Sequence, residues 1–569
     1  MKNNKFLDLI VEKGFLTEED RKNLEEKTEN DHFRLLLYLK EGGVAPKTVL
    51  GRLWGDSLGY AYVDLVKTFF QQEAVSLIPR EYAVKYNVIP IYKFGNAVTV
   101  ATSKPQNSDL IKSLSMVAKI DISPVFSFPG DIEDAVKIQY QSKESIDELI
   151  SRVSENSLFK ATSKITEEQL KKISGDKAVV NFTDAIILLG IKERATDIHI
   201  DPAEELVNVR FRIDGVLQVR LKLDSLLLRP FLSRLKIMAG LDITERRRPQ
   251  DGRINLKLKN RSIDIRFASV PSLHGEKITL RLLGQLAVRD IPGLDDLGFS
   301  YSTYKAIQTV SSSPNGIFLV TGPTGSGKTT TLFSVLKRIN NEGINILTVE
   351  DPVEYMIDGV NQVQVNSALD LGFAKALRSF LRQDPDVILV GEIRDYETAA
   401  IASQAALTGH LVLATLHSNN AVQATTRLID IGVKPFIVSP ALLGVMSQRL
   451  VRQICENCKT PYKLTDSEAD ELFIRESNED VFFYRGKGCS LCNFTGYSGR
   501  TAVHEIFTVD NEIRDIISSG GSVVEIEEAA YKKGFRDMFH DGIKKVLRGI
   551  TTIEEVERVM GRVKPEEDI

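Results

Sequence analysis

The sequence predicts an α/β protein of several domains whose largest part is a parallel sheet covered on both faces. Three observations carry this. Between about 298 and 450, short apolar runs (GIFLV, INILTV, VILV, LVLAT) alternate with helical stretches, the pattern of buried parallel strands joined by helices. The segment Gly322-Pro323-Thr324-Gly325-Ser326-Gly327-Lys328-Thr329 matches GxxxxGK[ST]. It stands between the strand Ile317–Val320 and a helix carrying Leu332, Phe333, Leu336 and Ile339, the context that makes such a loop a phosphate cradle. Finally, 569 residues correspond to three or four domains at roughly 150 residues each.

Composition sets limits. The chain is 43% hydrophobic and 26% charged, enough for sizeable cores. Lys and Arg total 73 against 77 Asp and Glu, a net charge of −4, which argues against a protein built mainly to bind nucleic acid. Four cysteines exclude a disulfide scaffold. Asp8 and Glu12 interrupt the first apolar stretch, so it does not read as a secretory signal. The longest segment without Asp, Glu, Lys or Arg, Thr398–Thr426, has apolar runs of about four residues, far below the roughly 20 that span a bilayer. The reading is a cytoplasmic protein, peripheral at the inner membrane through partners.

Residues 1–140 form a first module. LIVEKGFLTEED (9–20) and YLKEGGVAPKTV (38–49) echo each other with Gly14 and Gly43 aligned, each a helix, a glycine break and a helix start. Phe94-Gly95-Asn96 separates two apolar runs, a strand pair. Residues 141–177 are rich in Ser, Glu and Lys and read as a linker. A second domain, 178–290, holds two hairpins. In the first, Val207, Val209, Phe211 and Ile213 alternate before Asp214-Gly215, and Leu217, Val219 and Leu221 alternate after it. In the second, Ile254, Leu256 and Leu258 precede a turn near Asn260, and Ile263, Ile265 and Phe267 follow. Arg210, Arg212 and Arg266 occupy the opposite faces of these strands, and Arg281 does so later in KITLRLL (277–283). The third part, 298–569, contains the parallel sheet. Its helix 373–383 sets Phe373, Leu377 and Phe380 on one face and Arg378 and Arg382 on another. The helices of 510–562 include one marked by Ile543, Val546, Leu547 and Ile550.

The chemistry follows from residue types. Glycines let N–H groups of 322–330 (through Thr330) converge on phosphate, and the helix behind directs its positive end at the same anion. Lys328 would bridge the β- and γ-phosphates, and the Thr329 hydroxyl would hold Mg²⁺. Where a strand-end Asp is usual, Val387–Val390 ends in Gly391-Glu392. Glu392 is the first choice for activating water and for helping to hold magnesium. Glu350, Asp351 and Glu354 form a second acidic cluster after INILTV. His410 and His417 flank LVLATL, as γ-phosphate sensors, as relays between subunits or as plain structural histidines. Cys455, Cys458, Cys489 and Cys492 make two CxxC pairs, a closed tetrahedral set suited to structural Zn²⁺ within a subdomain of about 452–500.

These motifs together resemble the ATPases of type II secretion and type IV pilus assembly (GspE/PilB type). The carriers are ATDIHIDP (195–202), RFRIDGVL (210–217), RRPQDGRI (247–254), GPTGSGKTTT (322–331), TVEDPVEY (348–355), LRQDPDVILVGEIRD (381–395) and LTGHLVLATLHSNN (407–420). The tetracysteine and GYSGRTAVHEI (496–506) also fit. The resemblance implies a homohexameric ring of RecA-like ATPase domains, each preceded by an α+β (PAS-like) second N-terminal domain, acting on an inner-membrane platform protein. It implies ATP, Mg²⁺ and zinc. It gives Arg266, Arg281, Arg378 and Arg382 as residues gripping phosphates, and it makes 348–355 and 407–417 the family's Asp and His boxes. The first module resembles MshEN, whose repeats begin Arg-Leu-Gly and which in some members binds cyclic di-GMP. Here Lys5-Phe6-Leu7 and Arg34-Leu35-Leu36 lack the glycine, which argues for a docking domain for cytoplasmic-face partners instead.

The function this implies is a motor coupling ATP hydrolysis to pilus assembly. The long N-terminal region favours the pilus over the alternative, a type II secretion ATPase. Retraction motors of the family are shorter and lack the tetracysteine. A ring that binds ATP without hydrolysing it is opposed by Glu392, Glu350 and Glu354. A nucleic-acid translocase is opposed by the charge balance.

Overall fold

The computed structural model describes residues 4–28, 31–141, 146, 150, 174–260, 262–283, 291–354, 356–463 and 482–561. They fall into two compact units, Met1–Val288 and Arg289–Ile569. Most of the expected linker lies outside the described residues; its end meets the helix Lys177–Lys192, capped by Asp176.

The first unit opens with four helices, Asn4–Glu12, Glu18–Lys27, His32–Glu41 and Lys47–Leu58. Gly14 (φ 75°) and Gly43 (φ 66°) both take the left-handed conformation, so the sequence echo is a repeated helix–glycine–helix unit. Next come β1 (Val88–Phe94), β2 (Ala97–Thr102) and β3 (Asp121–Phe126) in one sheet. Phe94 faces Ala97 across the Gly95-Asn96 turn, as expected.

A six-stranded antiparallel sheet follows, in the order β6-β5-β4-β9-β8-β7. Its strands are β4 (Asp197–Pro202), β5 (Leu206–Ile213), β6 (Val216–Asp224), β7 (Gln250–Lys257), β8 (Ser262–Ser272) and β9 (Gly275–Leu282). Ile198, Val209, Phe211, Ile265 and Leu280 line one buried face. The helices Lys177–Lys192 and Leu228–Met238 belong to the same core, with Phe182 and Phe231 edge to face at 5.3 Å. The Asp214-Gly215 turn has both φ angles positive, 48° and 85°, as a two-residue hairpin demands. One expectation fails here. Leu217, Val219 and Leu221 do not share a face, because the ladder slips between Val209 and Arg210. Val209 pairs with Leu221 but Arg210 with Val219, so Val219 joins the outer face, 51% exposed. The extra residue of the bulge is what changes the phase.

The first module is tied to the second hairpin. Asp134, in the helix Pro129–Gln139, accepts the backbone N–H groups of Lys259 (2.7 Å) and Asn260 (3.0 Å). Asp131 accepts from Asn260 Nδ2 (3.0 Å) and pairs with Lys47 (2.6 Å). Between the two acids and the turn there is no room for a side chain at Gly130, whose Cβ would sit 2.5 Å from Asn260.

The second unit is a seven-stranded sheet, β12-β11-β13-β14-β10-β15-β18. Its strands are β10 (Gly316–Thr321), β11 (Ile346–Glu350), β12 (Val360–Gln364), β13 (Val387–Val390), β14 (Leu411–Leu416), β15 (Leu442–Ile454) and β18 (Tyr497–Thr508). All neighbours are parallel except β15 and β18. Apolar clusters lie on both faces, which is the three-layer form the apolar runs predict. Beyond β15, the small sheet of β16 (Lys459–Tyr462) and β17 (Phe483–Gly486) carries the cysteines.

Two helical expectations are corrected at their ends. The helix from Phe373 stops at Phe380, leaving Arg382 in the following turn. The helix Met538–Leu547 ends ahead of Gly549, at φ 66°, so Ile550 is outside it, and Leu547 is exposed.

Strand β18 also carries an inward acid. Glu505 accepts the first N–H groups of two helices, from Ala421 (2.6 Å) and Met538 (2.9 Å). Burial raises its pKa to about 7. Glu555, in the helix Ile553–Met560, is the opposite case. Burial works to raise its pKa, but Arg558 and Arg452 each hydrogen-bond its carboxylate and hold it at about 2. A folded-state pKa below the unfolded value of about 4.5 stabilises the protein above pH 4.5 and ceases to do so as pH falls through 2. The expected contribution is about 3 kcal/mol. Glu555→Gln should therefore lower thermal stability at pH 7 and flatten the melting temperature between pH 4.5 and 2 relative to wild type; an unchanged pH profile refutes this.

Candidate nucleotide and metal sites

In a parallel sheet the strand carboxyl ends share one edge, and here that edge gathers most of the candidate residues. β10 delivers the 322–327 loop, and the helix Lys328–Ile339 begins directly behind it. Gly322, Gly325 and Gly327 have φ of 140°, 79° and 90°, values a side chain would strain. Lys328 Nζ donates to the carbonyls of Gly322 (2.7 Å) and Pro323 (3.1 Å). Burial lowers its pKa, against the opposing pull of Glu392. Thr329 and Thr330 occupy the next two helical positions.

β14 lies beside β10, and β13 beside β14. Hence His417 and Glu392 meet. His417 Nε2 is 2.9 Å from Glu392 Oε1, and Nδ1 is 3.2 Å from the Gly322 carbonyl. Each nitrogen faces an acceptor, so a neutral ring satisfies one and only the protonated ring donates to both. Arg394 holds the other Glu392 oxygen at 2.6 Å. The imidazole thus links the candidate base to the loop itself. A cleft of about 420 Å³ adjoins this point, lined by Gly322, Pro323, His417, Ser418, Gln423 and Arg427.

Glu350 ends β11 at the same edge but is buried, its Oε1 accepting from Thr348 Oγ1 (2.7 Å) and Gln362 Nε2 (3.0 Å). Burial raises its pKa. Asp351 and Glu354 are exposed in the loop after it. His410 is not brought to the site. It precedes β14 at the opposite edge, where Nδ1 contacts the Ala405 carbonyl at 2.9 Å, six strand residues or roughly 20 Å from His417. Arg378 pairs with Glu397, and Arg382 is exposed.

In the first unit, cross-strand register sets Arg253, Arg266, Arg281, Asp197 and Arg212 in one row across β7, β8, β9, β4 and β5. Asp197 is the row's only acid, 3.0 Å from Arg281 Nε and 3.7 Å from Arg212 Nε. Arg281 stays half exposed. The motif reading named Arg266 and Arg281 but overlooked Arg253 and Asp197, whose places depend on register rather than on spacing. It also overlooked Arg394 and the buried Gln448 of β15.

The four cysteine sulfurs lie within 4.8 Å of one another. Cys455–Cys489, Cys458–Cys492 and Cys489–Cys492 are 3.8, 3.9 and 3.7 Å apart. Four thiolates at about 2.3 Å from a tetrahedral Zn²⁺ are about 3.8 Å from each other, so the cluster fits the ion. N–H groups of Cys489 (3.2 Å) and Gly496 (3.3 Å) point at the Cys492 sulfur, and Asn457 Nδ2 (3.4 Å) at that of Cys489; such donors favour thiolate.

A family model described as "Type II/IV secretion system protein" matches residues 172–558, and an MshEN domain model matches 58–146. The MshEN match thus begins at the last residue of the fourth N-terminal helix. The chain is 42% identical to the type IV pilus assembly ATPase PilB of Thermus thermophilus, over 91% of this chain and 58% of that protein. It is 48% identical to the type II secretion system ATPase E of Vibrio cholerae, over 69% of this chain and 77% of that one. To PilB of Myxococcus xanthus it is 36% identical, over 96% and 97%. Among the described residues no helix is long and apolar enough to cross a membrane.

Elemental analysis of protein purified without chelator should find one zinc per chain, and Cys458→Ser should lose it and lower the melting temperature. Metal-free protein with wild-type stability would remove the site.

Proposed function

The chain belongs to the type II/IV secretion system protein family, as a P-loop ATPase, and we propose that it is the motor which drives polymerisation of pilin-like subunits at the inner membrane. The observation that carries the enzymatic half is the contact of His417 with both Glu392 and the phosphate loop. Glu392 is held beside the loop by two cationic or ring donors and is free to take a proton from water once ATP displaces these contacts. Lys328 leaves the Gly322 and Pro323 carbonyls for phosphate oxygens. Thr329, with Glu392 near, would hold magnesium, which would supply positive charge at the phosphates. Glu350, its oxygen already engaged by Thr348 and Gln362, serves the site's shape before its chemistry. His410, on the far edge, serves the sheet.

The arginine row supports a role for Arg266 and Arg281 in closing over phosphate: Arg253, Arg266, Arg281 and Arg212 stand in one cross-strand row, with Asp197 beside the last two, a face suited to an anion. Arg378 and Arg382 would join from the ATPase domain, in a homohexamer that turns closure into rotation against a platform protein. The machine served is read as type II secretion, since the chain is 48% identical over 69% of its length to the Vibrio protein named for it, against 42% and 36% for the two PilB proteins. The pilus reading keeps one specific support, the match to PilB proteins over 91% and 96% of this chain. Phe6, Leu7, Leu35 and Leu36 are buried core in the N-terminal helices, so the triplets lacking glycine serve packing there, in keeping with docking rather than cyclic di-GMP binding.

Lys328→Ala should abolish ATP turnover. Glu392→Gln should retain nucleotide binding while losing hydrolysis. Arg266→Ala and Arg281→Ala should each cut turnover at least about tenfold, or 1.4 kcal/mol, with melting unchanged. Normal hydrolysis by Glu392→Gln with a dead Glu350→Gln or Glu354→Gln would move the base to the 348–355 segment. Deletion from the native host decides the machine: retained enzymes in the periplasm mean secretion, and loss of surface pili with normal secretion means the pilus.

A further inference from the structure

β15 runs parallel beside β10, pairing Val320 with Met446 and Thr321 with Ser447. The next residue of β15 therefore lies against the turn by which the chain leaves β10. That residue is Gln448, completely buried. Its Nε2 donates to the Ser326 carbonyl at 2.8 Å, and its Oε1 accepts from Thr331 Oγ1 at 2.8 Å. Its backbone is equally close. A Cβ on Gly322 would lie 2.4 Å from the Gln448 carbonyl oxygen, and one on Gly327 would lie 3.0 Å from its Nε2.

We propose that Gln448 is a positioning residue that sets the shape of the phosphate loop from behind. The Ser326 carbonyl and the Gly327 N–H belong to one planar trans peptide and point in opposite directions. Tying the carbonyl to β15 turns that N–H toward the concave side, where phosphate is received. The bond from Thr331 fixes which end of the amide faces the loop. Glutamine is the side chain of this length with a donor at one end and an acceptor at the other. Glutamate would set an acceptor against the Ser326 carbonyl, and methionine would leave both partners unpaired in a buried site. Gly322 and Gly327 then lack side chains partly because Gln448 occupies the space behind them.

The test measures ADP affinity, the KM for ATP and thermal melting on the full chain. Gln448→Met and Gln448→Glu should each weaken ADP binding at least tenfold and raise KM correspondingly. Val445→Ala, a cavity in the apolar core of the same strand, should lower the melting temperature yet keep ADP affinity within twofold. Thr331→Val, which removes a single bond, should weaken ADP several-fold, and Thr331→Ser should restore it. Should Gln448→Met fail to fold, the Thr331 pair decides alone. ADP affinity within twofold of wild type in Gln448→Met and Thr331→Val overturns the proposal, as does a loss no greater than that in Val445→Ala at equal melting temperature. The proposal rests on 322–329 being the nucleotide site: an unsubstituted chain that binds no ADP overturns both, whereas normal ADP binding by Gln448→Met overturns the proposal alone.

Discussion

The arrangement of the ATPase half depends on a crowded turn. Backbone N–H groups can converge on one anion only where the chain reverses tightly, and here the reversal is wedged between β10, the helix Lys328–Ile339 and β15. The crowding dictates glycine at Gly322 and Gly327. Strand order then dictates the rest. With β14 and β13 next on one side, the ends of those strands bring His417 and Glu392 to the loop. With β15 on the other side, its first turn-facing polar residue is Gln448. Each participant is set by its strand's place in the sheet, not by its distance along the chain.

A second theme is how polar groups are carried inside. Glu505 would be a costly charge on a buried strand, but two helix N-termini supply its hydrogen bonds, where a carboxylate is welcome. Glu555 is compensated by two guanidinium groups. Together they join β15 and β18 to the C-terminal helices, and the tetracysteine closes the far end of the same two strands. The metal cluster is thus the terminus of a ladder whose middle touches the nucleotide loop.

Much of this is legible in sequence because it obeys local rules. Asp214-Gly215, Gly14 and Gly43 announce positive φ, the two CxxC pairs announce a metal, and the glycine-rich loop sits in its required strand–helix context. β15 and β18 escaped the apolar-run reading because Ser447, Gln448, His504 and Glu505 interrupt them with buried polar groups. Periodicity alone cannot tell a buried polar residue from an exposed one. Val219 was misplaced because a bulge leaves no mark on alternation. His410 could have been placed: two histidines at opposite ends of one parallel strand must lie on opposite edges. Arg253 and Asp197 required register, which spacing does not contain.

The acids of the helix Pro129–Gln139 bear on modularity. Asp134 is matched to two peptide N–H groups lying 125 and 126 residues further on, and Asp131 to an amide 129 away. Gly130 is shaped to the same turn. A hybrid in which the first 140 residues came from a relative would strand whichever partners it failed to import, at about 1–3 kcal/mol for each buried group left without one. The seam for domain exchange in this protein is therefore not the linker that the sequence suggests. It is a bipartite boundary, and a graft of the N-terminal module must carry the turn at Lys259-Asn260 with it.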